Sequence, residues 1–334
     1  MTNPEIKNLA ASVKARLANL AREQKEDFQE LLSRYGRERL LYRLSVSEYK
    51  ERFILKGALL FAYWTGVPHR PTRDMDLLGH GSPDIALLEE VLRDLCKIEV
   101  QPDGLVFQSN SVRGERIKDD KQYEGVRLHL VALLEKARIP LQIDVGFGDR
   151  IVPGPEEIDF PTLLDFPAPH IKSYTRESMV AEKFEAMVKL GMLNSRLKDF
   201  FDIWSASQEF AFDGPTLCDA VTTTFETRGT AVPTEPPLAL TDEFYDDRDK
   251  NAQWKAFLNK AKLKLFQEMF NARYQRCGLP RARTRVNQCR AINVHSSFQL
   301  TRVRIDRFLW FLFILSERDF VKRFGELSLH QING

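Results

Sequence analysis

Arg73-Asp74-Met75-Asp76 sets two carboxylates two positions apart, between a turn-rich stretch holding Gly66, Pro68 and Pro71 and the apolar pair Leu77-Leu78. Side chains alternate faces along a strand, so Asp74 and Asp76 are expected on the same side, roughly 7 Å apart along the backbone. Oxygen ligands at that separation can grip one magnesium ion or share two, as transfer of a phosphorus group requires. The competing reading is an acidic strand end on a solvated face. Ile139 to Gly148 adds a second acidic strand: Leu141, Ile143 and Val145 share one face, and Asp144 lies on the other with Gln142 and Gly146. A lone carboxylate in a half-buried strand is costly, so Asp144 needs a cation, a hydrogen-bond partner or water. An ion held by Asp74 and Asp76 on a nearby strand is the partner expected.

Elements must bring these acids together and hold a phosphate beside them. Phe53-Ile54-Leu55-Lys56 reads as a short strand that breaks at Gly57, and Ala58 to Trp64 reads as a short helix. Such a junction aims backbone N–H groups and the positive helix end beyond the strand, commonly at a phosphate. Close backbone approach there favours glycine. Lys56, Gly57 and Ala58 are therefore the expected phosphate-binding turn.

Three acids on two strands are the minimal metal platform of the nucleotidyltransferase fold, the architecture of the DNA polymerase β palm. Leu55-Lys-Gly-Ala-Leu-Leu, Arg70-Pro-Thr-Arg-Asp-Met-Asp-Leu-Leu-Gly, Leu141-Gln-Ile-Asp-Val-Gly-Phe-Gly-Asp, Ala181-Glu-Lys-Phe-Glu-Ala-Met-Val and Asn194-Ser-Arg-Leu-Lys-Asp-Phe-Phe-Asp-Ile-Trp occur in that order. Together they resemble the AbiEii/AbiGii family of nucleotidyltransferase toxins, over a stretch from about the N-terminus to about residue 262. The resemblance implies transfer of a nucleotide from an NTP with Mg²⁺, in a two-metal arrangement. It further implies an acceptor at the 3′ end of tRNA, a block to translation and growth, and a cognate antitoxin encoded nearby. Asp74, Asp76 and Asp144 would then hold the metal, and Lys183 would bind triphosphate or developing charge, the alternative being a surface lysine. Many nucleotidyltransferases have Gly-Ser or Gly-Gly at the phosphate turn; Gly57-Ala58 lacks a hydroxyl, so backbone donors would have to serve.

Arg73 is expected either near the nucleotide or as a partner for an acid of the second lobe. Asp199 and Asp202 are the candidates there, and the nucleotide or RNA cleft is the alternative place for them. Lys198 and Asp202 stand at i and i+4 on one helix and are also able to pair with each other. His69, His80, His129 and His170 fall into no Ser–His–Asp or Cys–His arrangement.

Composition sets broader bounds. The 334 residues are 43% hydrophobic and 29% charged with formal net charge +2, ordinary for a globular protein, so any RNA-binding surface must come from local clustering. Cys96, Cys218, Cys277 and Cys289 lack CxxC spacing, as expected of reduced thiols in a cytoplasmic protein. Residues 1–25 lack the apolar core of a signal peptide. Phe308 to Leu315 is far shorter than the ~20 residues of a membrane span. No membrane association is expected.

The expected fold is α+β: a mixed sheet with helices, followed by a helical C-terminal lobe. Residues 1–150 would hold N-terminal helices and the catalytic domain, and 151–170 a proline-punctuated crossing. Residues 171–264 would form the helical lobe, and 265–334 an atypical basic and aromatic tail, rich in arginine from Arg273 to Arg290. Arg37, Arg39 and Arg43 lie along one helix, either as a solvated face or as phosphate ligands. The rival functions are a catalytically silent RNA- or protein-binding module on the same fold and a glycosyltransferase using Asp-x-Asp. The second is disfavoured by the short, mostly helical stretch ahead of the motif.

Overall fold

A computed structural model describes residues 8–66, 68, 70–117 and 125–260. The tail, Lys118, Lys121, His69, Cys277 and Cys289 lie outside the described residues. The chain divides into two compact units between Met179 and Val180.

In the first unit, α1 (Leu9–Gln24) starts where Asn8 Oδ1 accepts the Ala11 N–H, and it buries Val13, Leu17 and Ala21 at four-residue spacing. Asp27 caps α2 (Phe28–Ser45) by accepting the Gln29 and Glu30 N–H groups. Then follow β1 (Phe53–Lys56), a tight turn over Gly57–Leu59, α3 (Leu60–Thr65), β2 (Asp74–Gly79) and α4 (Ile85–Leu95). Two long hairpins add β3 (Leu105–Arg116), β4 (Gly125–Leu134) and β5 (Ala137–Phe147), and β6 (Glu156–Asp159) and β7 (His170–Ser173) complete the unit's strands. Among the described residues these form one mixed sheet of order β3-β4-β5-β2-β1-β7-β6. Only β1/β7 and β2/β5 are parallel.

Strand alternation divides the sheet into two faces. Met75, Leu77, Val126, Leu128, Leu130, Leu141, Ile143 and Val145 are buried in one core together with apolar residues of α1, α2 and α4. Gly36 lets α2 lie directly on β5, since a Cβ there would stand 3.1 Å from Leu141 Cδ2. The alternate positions carry Lys56, Asp74, Asp76, Arg127, Gln142 and Asp144.

The proline-punctuated stretch is more than a crossing. Residues 156–159 pair with 170–173, and Leu55 pairs with Ser173, so this segment extends the first unit's sheet. Edge strands tolerate nearby prolines because one side of the backbone needs no ladder partner. The arginines of α2 also differ from expectation. Arg39 is fully buried and Arg43 nearly so, and their guanidiniums hold the buried Asp103 carboxylate at 3.3 Å and 2.7 Å. They are a structural ion cluster, neither a solvated face nor phosphate ligands.

The helix α5 (Arg176–Leu190) leads into the second unit. That unit contains α6 (Leu197–Glu209), α7 (Gly214–Thr227), α8 (Asp242–Asp246) and α9 (Arg248–Lys260). Asp213 caps α7 by accepting the Thr216 N–H, with Pro215 in the first turn. Phe200 stacks on Phe244 at 5.3 Å, and Phe201 and Trp254 both meet Phe257. At the start of α6, Arg196 occupies the cap position, and Asn194 Oδ1 accepts the Arg196 N–H at 2.8 Å. Among the described residues no helix is long and apolar enough to cross a membrane. Neither Cys96 nor Cys218 is in a disulfide.

Candidate active site

In the parallel pairing of β2 and β5, Asp76 stands opposite Asp144 and Asp74 opposite Gln142. Neighbouring strands lie about 4.8 Å apart, so the three acids occupy one small patch of one sheet face. Asp74 and Asp76 are half-buried. Lys56 of β1 pairs in register with Asp76 from the other side.

Asp76 explains Gly57. The turn after β1 has φ +77° at Gly57, and a Cβ added there would run into the Asp76 carboxylate. The residue is glycine because of both the left-handed backbone and the acid lying against it. Ala58 follows in the turn and is buried.

Lys56 is tied down. Its Nζ is 3.0 Å from Asp149 Oδ2, just beyond β5, and 5.2 Å from the centre of the Tyr174 ring. The Tyr174 hydroxyl donates to the same Asp149 oxygen at 3.5 Å. Asp149 had no signal in the sequence beyond its place at the end of the β5 block.

The Asp144 carboxylate has the partner that burial demands, but a residue supplies it. Arg127 of β4, directly across from Asp144, donates Nε to Oδ1 at 2.9 Å and Nη2 to Oδ2 at 2.7 Å. Gln142 Nε2 donates to Oδ1 at 3.1 Å. Its hydrogen bonds to Asp144 push the Arg127 guanidinium above its ordinary range despite partial burial, and Asp74 adds to the effect. Arg127 lay in an unremarkable strand, and only β4/β5 register reveals it.

Carboxylate oxygens on one sheet face suit a hard divalent cation. Magnesium is ordinarily held by one or two carboxylates together with substrate phosphates and water. Asp74 and Asp76 fit that requirement as a pair. Asp144 is taken by Arg127 and Gln142, and among the described residues no group of three or more His, Cys, Asp or Glu side chains is placed to hold a metal ion.

Arg73 precedes β2 with its side chain largely exposed and its Nε 3.9 Å from Glu30 Oε1. Arg37 anchors the start of β2 by donating to the Arg73 carbonyl at 3.2 Å. Burial pulls the Arg37 guanidinium down to about 10, against the opposing pull of Glu30 and Asp74.

The remaining candidates lie in the second unit. Lys183 of α5 reaches Asp199 Oδ1 at 2.6 Å and Asp202 Oδ2 at 2.8 Å, both acids of α6 being almost wholly buried. Arg196 Nε stands 2.8 Å from the second Asp199 oxygen. Burial alone would raise Asp199, but Lys183 and Arg196 outweigh it and hold the carboxyl below its ordinary value. Lys198 is half-exposed on the same helix.

A sequence model described as "Nucleotidyl transferase AbiEii toxin, Type IV TA system" matches residues 39–276. No curated protein matches the chain. Similar solved structures include a proposed nucleotidyltransferase from H. pylori, 12% identical with TM-score 0.41, covering 90% of this chain and 98% of that one. JHP933 from Helicobacter pylori is 13% identical with TM-score 0.40, covering 92% and 97%.

Proposed function

Because the chain belongs to the AbiEii family of nucleotidyl transferase toxins, we propose that it moves a nucleotide from an NTP to an RNA hydroxyl, with the 3′ end of tRNA as acceptor. The acceptor oxygen forms a bond to the α-phosphorus, the bond to the bridging oxygen breaks, and pyrophosphate leaves. Loss of functional tRNA ends would stop translation and growth, and a type IV toxin implies an antitoxin partner.

The observation that carries this reading is the acid patch: Asp74 and Asp76 on one face of β2, with Asp144 in register beside them and Asp76 seated over Gly57. A magnesium ion bound by Asp74 and Asp76 would polarise phosphoryl oxygens and lower the pKa of the attacking hydroxyl. The chain's own contribution is position and charge. Gly57 gives the turn after β1 its left-handed backbone with Asp76 seated against it, and the backbone N–H groups of that turn are the phosphate donors in this reading. Lys56, oriented by Asp149, places a cation on the same face. Lys183 is assigned a phosphate-binding role, with Asp199 and Asp202 as the groups that position it; Arg73 and Lys198 are assigned to substrate contact.

Incubation with each α-labelled NTP, Mg²⁺ and total tRNA tests the reading. Label is expected on RNA, and Asp76→Asn should abolish it while leaving the thermal midpoint near that of the native chain. Label on no RNA with any NTP would leave the silent binding module as the better account, and label on sugar would favour the glycosyltransferase. Persistent transfer by Asp76→Asn would remove that residue from the mechanism.

A further inference from the structure

Arg127 stands between two carboxylates. On one side, in register across β4/β5, is Asp144, with its side chain 15% exposed; on the other, in register across β3/β4, is Glu115, 61% exposed. Side chains opposite each other on adjacent strands share a face, within reach of a long guanidinium. Arg127 currently grips Asp144 with two nitrogens, and its side chain is 34% exposed. Asp144 offers about four lone-pair sites, and Arg127 and Gln142 between them supply three donors. As long as that grip lasts, Asp144 has little left to give a cation, and a fixed positive charge sits beside Asp74 and Asp76.

We propose that Arg127 is the resident counter-ion of the acid patch and a positioning residue for it: a divalent cation and the guanidinium compete for Asp144, and Glu115 takes Arg127 when the cation wins. The proposal rests on Asp74 and Asp76 being the cation ligands. Glu115 is exposed and its Oε1 lies 3.4 Å from His129 Nε2, so its hydrated, shared carboxylate holds Arg127 less tightly than Asp144 does. This ordering explains why Asp144 is the occupied partner. Entry of a divalent ion brings twice the charge of the guanidinium to a patch of three acids, which reverses the preference. Loading of the patch is thereby coupled to movement of one side chain between strands that themselves need not move.

Mn²⁺ alone, titrated into the full-length protein without nucleotide and read as free ion by electron paramagnetic resonance, isolates the competition. Arg127→Gln is expected to bind Mn²⁺ at least about tenfold more tightly than the native chain, each tenfold being 1.4 kcal/mol. Arg127→Gln combined with Asp144→Asn should fall back to the native affinity or below. Arg127→Lys keeps the charge but loses the two-pronged grip and should lie between. Glu115→Gln, which removes the alternative partner, should weaken binding in the native background and change nothing in the Arg127→Gln background.

Arg127→Gln binding no more tightly than the native chain overturns the proposal, as does equal tightening in the absence of Asp144. If Arg127→Gln fails to fold, Arg127→Lys carries the test, and an affinity unchanged from native overturns it. Asp76→Asn separates the two levels. Loss of Mn²⁺ binding there, with no tightening in Arg127→Gln, leaves the cation site standing and removes the competition. Failure of nucleotide transfer does not affect this measurement, because no nucleotide is present.

Discussion

Gly57 shows how much one side chain's absence can do. A left-handed φ costs an L-residue roughly 1–2 kcal/mol, and here the missing Cβ also leaves the place where the Asp76 carboxylate lies. Gly57→Ala is therefore expected to lower unfolding stability by at least that amount and to displace Asp76. Urea denaturation and the labelled-NTP assay read the two effects; an alanine variant as stable and as active as the native chain would show that neither the turn nor the contact matters. Lys183 makes a complementary point. Its charge is matched within the second unit by two buried acids, so it holds α5 to α6 whatever else it does.

The element that most departs from a simple amphipathic reading is α2, which is buried on nearly every side and carries ions inward. Glu38 accepts the Leu163 N–H at 2.7 Å, linking the helix to the proline-punctuated segment, while Arg39 donates to the Pro167 carbonyl at 2.9 Å. Burial is the largest influence on Glu38 and pushes its carboxyl up to about 7 from 4.5, against the lowering effect of the Leu163 N–H and Arg39. The folded protein then binds more protons than the unfolded chain between those values, so stability is greatest below the unfolded value and falls as pH rises towards about 7. The slope from this group is on the order of 1.4 kcal/mol per pH unit. Glu38→Gln, permanently neutral, should flatten that segment of the curve, measured as urea midpoints across the window. An unchanged slope would mean that another group titrates there. Asp199 runs the opposite way: its lowered carboxyl contributes stability that is lost only as the pH falls through its folded value, below 3.8.

At the scale of the whole molecule, a substrate that binds only the native state must raise its stability. An NTP with Mn²⁺ at ~100 times its dissociation constant should add about 2.7 kcal/mol, visible as a higher thermal midpoint, and Asp76→Asn should erase the rise. A native chain whose midpoint ignores NTP and Mn²⁺ at every concentration would not be using this patch for substrate. Much of this architecture was legible beforehand, because strand alternation around Asp74 to Leu78 and in 139–147 is a local property of the chain. Asp74, Asp76 and Asp144 were likewise visible as acids on the polar side of apolar strands, and the ordered blocks announced the family. Other features could not be read, since each depends on which strands become neighbours. Arg127 meets Asp144 only through β4/β5 register, Asp149 meets Lys56 only across the sheet, and Arg39 and Arg43 of α2 meet the buried Asp103 only once the first unit has packed. Sequence thus determined which residues carry charge and which face of its own element each occupies. Tertiary structure alone decided which opposite charges meet, because ion pairing acts over a few ångströms and those distances are set by long-range packing.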